Sequence, residues 1–133
     1  MKYLVDTCVI SDFIKGEPGT LTQVNNIPPH QIAVSSVTVM ELYYGVALEV
    51  SRTKKILPVI EIFLQSVVIL PFREEDAKKA AQLRAYLKSK GLPIGSYDIL
   101  IAGTALNHQL TLVTANAKEF NRLPQLQLEN WRN

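Results

Sequence analysis

Asp6, Glu41, Asp98 and Glu119 are the side chains of this sequence best suited to shared chemistry. Each falls where the pattern turns from strand to helix or loop. Asp6 closes an opening apolar run, Glu41 lies in the first turn after a second run, Asp98 opens an apolar helix, and Glu119 follows a late strand-like run with Asn116 between. Carboxylates brought within a few ångströms repel one another unless a proton or a cation intervenes. Soft-metal ligation is excluded, because there is one cysteine, Cys8, and the two histidines stand far apart. Oxygen donors alone favour a hard ion, Mg²⁺ or Mn²⁺, which keeps waters that a phosphate oxygen can displace. Phosphodiester cleavage follows as the leading chemistry, since a hard ion in such a cluster can activate water and stabilise charge building on phosphorus.

Local explanations compete for three of the four acids. Thr38 with Glu41 three residues on has the form of a capping box, Asp98 suits the start of a helix capped by Ser96, and Glu119 repeats the spacing after Asn116. Asp6 differs: at the inner end of an apolar strand it has no expected capping role and must find a partner or a metal. Glu74, Glu75 and Asp76 read as surface charges complementing a helix dipole. Thr7, Thr38 and Thr114 could orient ligands or water. Lys15, Lys54, Lys55, Arg84 and Lys88 are candidate phosphate contacts, with Arg84 and Lys88 four apart on one helical flank. Tyr43 and Tyr44 suit stacking on an unpaired base or packing in a dimer interface.

The elements that must position these residues alternate. Lys2 to Asp6 reads as a strand, and Val9, Ile10, Phe13 and Ile14 recur at helical spacing until Gly16 and Pro18. A short helix over Leu21 to Asn26 ends at Pro28 and Pro29, and Gln31 to Ser35 forms the second strand. Two helices follow, one from Thr38 through Leu42, Val46 and Val50, the next over Thr53 to Gln65. Val67 to Leu70 is the third strand, a helix runs from Glu74 to Lys90, and Gly91 supplies a left-handed stop. A Pro/Gly loop over Leu92 to Ser96 leads to a buried helix from Tyr97 to His108. Leu110 to Thr114 is the fourth strand, followed by a short helix over Ala117 to Arg122 and an edge strand at Leu126 to Leu128. Strands separated by helices require crossovers, hence an α/β fold with a mainly parallel sheet of four to five strands and helices on both faces. Ligands in such sheets gather beyond the carboxyl ends of the strands, where these acids lie.

With 133 residues, 47% hydrophobic and 20% charged, the chain suits one soluble domain spanning 1–133. No apolar run approaches the roughly 20 residues of a membrane span, and the opening residues lack a signal-peptide layout, so a cytoplasmic protein is expected. The net charge of +2 hides a polyanion-binding surface if four of the 12 acids are gathered around metal. Eight acids then face 14 bases, a surplus of +6 elsewhere.

Four blocks in order resemble the PIN-domain ribonucleases, and within them the VapC-type toxins of prokaryotic toxin–antitoxin modules. They are Leu4-Val5-Asp6-Thr7, Ser35 through Leu42, Gly91-Leu92-Pro93-Ile94-Gly95 with Asp98 to Ala105, and Leu112-Val113-Thr114 through Phe120, closed by Leu123-Pro124 and Glu129-Asn130-Trp131. The resemblance implies a three-layer α/β/α PIN-like fold and a Mg²⁺-dependent endoribonuclease acting on tRNA or other structured RNA. It also implies inhibition by a cognate VapB-like antitoxin and a homodimer. Carried over by position, Asp6, Glu41 and Asp98 match the family's acidic residues, with Asp6 and Asp98 as direct metal ligands. Two positions depart from the pattern. Cys8 stands where relatives commonly have Asn, and Asn116 where many have an acid, so that the fourth metal carboxylate is either Glu119 or missing, which favours one ion over two.

Other readings fit less well. A haloacid dehalogenase-type phosphatase would need a second Asp where Cys8 stands, and a Mg²⁺-binding receiver-like signalling domain would need a phosphoacceptor Asp where the third strand ends in Leu70-Pro71. Cys8 has no nearby base to make it a nucleophile. A PIN fold that has lost catalysis and serves as a binding module is the remaining alternative.

Overall fold

The computed structural model describes the backbone of residues 1–133 and all side chains except those of Val50, Arg52 and Thr53. Five strands, β1 (Tyr3–Val5), β2 (Ile32–Ser35), β3 (Val68–Leu70), β4 (Thr111–Val113) and β5 (Gln127–Glu129), form one sheet in the order β3-β2-β1-β4-β5. Every neighbouring pair is parallel. Helices α1 (Thr7–Lys15), α2 (Pro18–Asn26), α3 (Ser36–Leu48), α4 (Val50–Ser66), α5 (Glu74–Lys90), α6 (Ser96–Asn107) and α7 (Ala117–Phe120) make the connections. The sheet therefore has the architecture expected from strands that alternate with helices.

Alternation along the strands builds two cores. Leu4, Ala33 and Leu112 point to one face and pack with Leu83 and Leu87 of α5 and Ile101 and Ala102 of α6. Val5, Ile32, Val34 and Val113 point to the other and pack with Val9 and Ile10 of α1, Leu42 of α3, and Ile60 and Phe63 of α4. Both faces are covered, which is why these strands read as continuous apolar runs. On the first face α5 and α6 approach so closely that a Cβ on Gly103 would lie 2.8 Å from the Asp76 carbonyl oxygen and 2.8 Å from the Ala80 Cβ. Gly91 ends α5 at φ 66°, the left-handed stop its sequence position predicts.

Four local expectations need correction. α2 begins at Pro18, three residues before the expected start at Leu21, because proline suits a first helical turn and Glu17 caps it through Thr20 N (2.7 Å). α3 begins at Ser36, capped by the Ser35 hydroxyl through Val37 N (3.1 Å), so Thr38 and Glu41 lie inside the helix and form no capping box. α6 is entered through Gly95, and Ser96 is already helical. Asp76 is no surface charge. Its side chain is buried and accepts hydrogen bonds from Arg73 N (2.8 Å) and Asn107 Nδ2 (2.8 Å), pinning the start of α5 to the end of α6.

Candidate active site

β1 lies at the centre of the sheet, and the chain builds outward from it first through β2 and β3, later through β4 and β5 on the other side. This reversal opens a crevice beyond the carboxyl ends of β1 and β4, the place where parallel sheets receive ligands. Asp6 stands at that point. Its backbone N–H donates to the Val113 carbonyl (3.1 Å), and its carboxylate accepts from Val9 N (3.0 Å) and from the hydroxyl of Thr114 at the end of β4. Asp6 therefore does cap a helix, against the sequence expectation: β1 runs into α1 without a loop, so its closing residue is also the N-cap. Only 4% of Asp6 is exposed. Burial raises its pKa despite the hydrogen bonds from Thr114, Val9 and Cys8, and the charge of Glu41 adds to the rise.

The second turn of α3 brings Glu41 to the same edge, where its Oε1 accepts a hydrogen bond from the Thr7 hydroxyl (2.7 Å). Asp98, in the first turn of α6, is partly buried, and its carboxyl is pushed up to about 6 by burial and then by the charges of Glu119, Asp6 and Glu41. Its Oδ2 lies 3.1 Å from where a Gly95 Cβ would stand, so the bare Cα of Gly95 gives the carboxylate room. Glu119 Oε1 accepts from Gly95 N (2.8 Å) and its Oε2 from Asn116 Nδ2 (2.7 Å). Glu119 thus ties α7 to the entry of α6, and Asn116 partners this acid rather than capping α7. Thr114 completes the network, since its Oγ1 also accepts from Asn116 N (2.9 Å).

The four acids consequently gather at one edge, where the charges of Glu119, Asp6 and Glu41 act on Asp98 and that of Glu41 acts on Asp6. Among the described residues no three of them close into a metal cage. The donor set is nevertheless all oxygen, held by neutral hydroxyl, amide and backbone N–H groups, and the mutual repulsion at Asp98 is what a divalent cation relieves. These residues fit a hard ion. Beside them, Thr7, Ser11, Lys15, Glu41, Gly45 and Ile56 line a cleft of about 330 Å³ between α1, α3 and α4.

Other candidates are placed differently. Thr38 is fully buried in α3 with no hydrogen-bond partner for its hydroxyl among the described residues. Lys54 and Lys55 are exposed on α4, Arg84 and Lys88 on α5, and Tyr43 and Tyr44 on α3 are 42% and 61% exposed. Cys8 is exposed at the rim, and burial with the charges of Asp6, Asp98 and Asp12 pushes its thiol up to about 11, which keeps it protonated and unsuited to nucleophilic attack. Sequence reasoning missed the part of Gly95, whose N–H and open Cα join Glu119 to Asp98. The Pro/Gly loop was its only signal.

Comparison with known proteins agrees with this geometry. The model of the PIN domain matches residues 3–126. The tRNA(fMet)-specific endonuclease VapC of Salmonella typhimurium is 34% identical over 98% of both chains. Ribonuclease VapC2 of Haemophilus influenzae is 37% identical, again over 98% of each. The crystal structure of DNA-bound VapBC from Salmonella typhimurium contains a chain that superposes with a TM-score of 0.90 at 34% identity, covering 98% of both. A parallel sheet of this order, acids at its switch point and likeness along nearly the whole length place the chain in the PIN-domain family, in its VapC-type branch.

Proposed function

We propose that this protein is an endoribonuclease that hydrolyses RNA phosphodiester bonds with a divalent cation held by Asp6 and Asp98, and with Glu41 and Glu119 completing the acidic site. The observation that carries the reading is the convergence of these four acids at the switch point, with Asp98 raised to about 6 by burial and by the other three. Mg²⁺ fits the oxygen donors, with Mn²⁺ as a substitute. Such an ion would activate water and stabilise charge at phosphorus.

The chain's own residues prepare the site for that chemistry. Val9 N and Thr114 hold Asp6, Thr7 fixes Glu41, and Gly95 N with Asn116 fixes Glu119, so that three carboxylates are aimed before substrate arrives. Among the described residues no such anchor holds Asp98, and the charges of Glu119, Asp6 and Glu41 all act on it. In the unloaded site a proton on Asp98 offsets this repulsion only below about pH 6, and above that a divalent cation held there would offset it instead.

By analogy with the Salmonella relative, structured RNA of the tRNA class is the substrate we assign. The toxin's place in a type II toxin–antitoxin pair follows on the same ground, with a VapB-like protein as the restraining partner. Exposed Met40, Tyr43, Tyr44 and Leu48 on α3 give a protein-facing surface suited to that partner or to a homodimer. Mapping RNA ends after brief expression tests the assignment: new ends require Mg²⁺ in the purified reaction and vanish in EDTA and in Asp6→Asn. Full cleavage in EDTA would overturn it.

A further inference from the structure

One cation near the carboxylate edge is not absorbed by that reading. Arg132 follows the buried Trp131 and grips Asp12 with both arms of its guanidinium, Nε to Oδ2 at 2.7 Å and Nη2 to Oδ1 at 2.8 Å. The arrangement is asymmetric. Asp12 is buried on α1, whereas the Arg132 side chain is 50% exposed. A guanidinium carries five N–H donors, and only two of these are committed within the described chain.

The position of this fork follows from α1. Cys8 and Asp12 are four residues apart and so share one helical stripe, with Cys8 two residues beyond Asp6 at the rim of the site. Gripping Asp12, the guanidinium is held against the stripe of α1 that leads back one turn to Cys8 and so toward the N-cap Asp6. Thr7, Ser11 and Lys15 mark a different stripe of the same helix, facing the cleft with Glu41. The stripe bearing Arg132 is thus a second, separate approach to the acidic edge.

The backbone that carries Arg132 is fixed rather than loose. Arg132 N donates to Asn130 Oδ1 (3.0 Å), and Asn133 N donates to Glu17 Oε2 (3.3 Å). Glu17 also accepts from Gly19 N, Thr20 N and the Thr20 hydroxyl; together these outweigh the burial that opposes its ionisation and hold its pKa down to about 2. Gly19 passes so close to the Trp131 carbonyl oxygen that a Cβ there would overlap it. A guanidinium anchored on both sides yet half in solvent has lost little freedom left to lose on meeting a ligand. Asp12 takes the Nε/Nη2 side, and the edge formed by Nη1 and the second Nη2 proton keeps paired N–H donors that match a phosphate.

We propose that Arg132 binds an RNA phosphate flanking the scissile position, and that Asp12 is the residue that aims its guanidinium. This inference rests on the ribonuclease reading above. Acids that gather a cation also repel the polyanion beyond its reach, and a fixed arginine beside them supplies the attraction that the net charge of +2 does not.

Steady-state cleavage of a fluorescein-labelled RNA with Mg²⁺, measured for the parent protein, Arg132→Gln, Arg132→Lys and Asp12→Asn across a salt series, tests it. Arg132→Gln is expected to raise KM about tenfold with kcat within about twofold, and to flatten the salt dependence of log kcat/KM by about 0.7. Arg132→Lys keeps the parental salt slope. Asp12→Asn raises KM while retaining that slope, because the charge remains and its aim is lost. Melting temperatures of the four proteins separate these effects from loss of fold. Parental KM and salt slope in a folded Arg132→Gln would overturn the phosphate contact while leaving the ribonuclease reading intact. Failure of the parent protein to cleave RNA would overturn both.

Discussion

The hydroxyl of Thr7 donates to Glu41 Oε1 at 2.7 Å, joining the first turn of α1 to the second turn of α3 across 34 residues of chain. Because α1 starts directly at the end of β1, this single bond references Glu41 to Asp6, the residue immediately before Thr7. Two of the four acids are thereby held in one frame by a neutral group that adds no charge to an already crowded edge.

Removing that bond isolates its contribution. Thr7→Val keeps the β-branched shape and loses the donor, so Glu41 becomes free to turn. We expect kcat to fall about tenfold, equivalent to about 1.4 kcal/mol of lost orientation, with little change in melting temperature. Single-turnover cleavage alongside a thermal melt checks this. Unchanged turnover would mean that Glu41 needs no fixing.

The raised pKa of Asp98 makes a signed statement about stability. Its folded value of about 6 lies above the ordinary 3.8, so between these limits the folded protein holds more protons than the unfolded chain. Stability from this group is present below about 3.8 and is lost as pH rises toward 6. Asp98→Asn removes the charge, and its metal-free melting temperature is therefore expected to exceed the parent's at pH 7.5 and to match it near pH 4. Melts in EDTA across this range read the difference. A constant offset at every pH would assign the effect to something other than ionisation.

Cation binding should follow the same proton. At pH 5 the ion competes with protonation of Asp98, and above pH 6.5 it does not. The rise in melting temperature on adding Mg²⁺ is expected to be several-fold larger at pH 7.5 than at pH 5, and to disappear in Asp98→Asn. Equal rises at both pH values would place the ion away from Asp98.

The α5–α6 contact offers a prediction about the scaffold alone. Gly103→Ala places a methyl 2.8 Å from the Asp76 carbonyl oxygen, and relieving that overlap must push the two helices apart. The cost is about 1–3 kcal/mol. Asp76→Ala strands the Arg73 N–H and the Asn107 amide and costs about 3 kcal/mol, because both donors lose their buried acceptor. Urea denaturation of both variants measures these losses.

Much of this fold was legible because local rules and the global answer agree. Continuous apolar runs such as Val67 to Leu70, the stop at Gly91 and the alternation of strand with helix each required one outcome, a parallel sheet covered on both faces. The errors arose where a local rule was satisfied by a different residue. Thr38 and Glu41 had the spacing of a capping box, but Ser35, the buried last residue of β2, reached Val37 N first. Asp76 stood among acids suited to a helix dipole, yet only packing against Asn107 decided that it would be buried while Glu75 paired with Lys78 in solvent.

The sequence by itself singled out candidate residues: acids at strand ends favour hard-cation, phosphate-directed chemistry over soft-metal chemistry because residue type alone sets ligand character. It also determined where they would collect, since parallel strands present all their carboxyl ends along one edge. Tertiary structure alone decided how they are held. Glu41 on Thr7, Glu119 on Gly95 and Asn116, and Arg132 on Asp12 are hydrogen-bonded pairs between elements. The last of these joins residues 120 positions apart. No periodicity or spacing encodes such a pair, because its energy exists only after two separately folded segments have packed side by side.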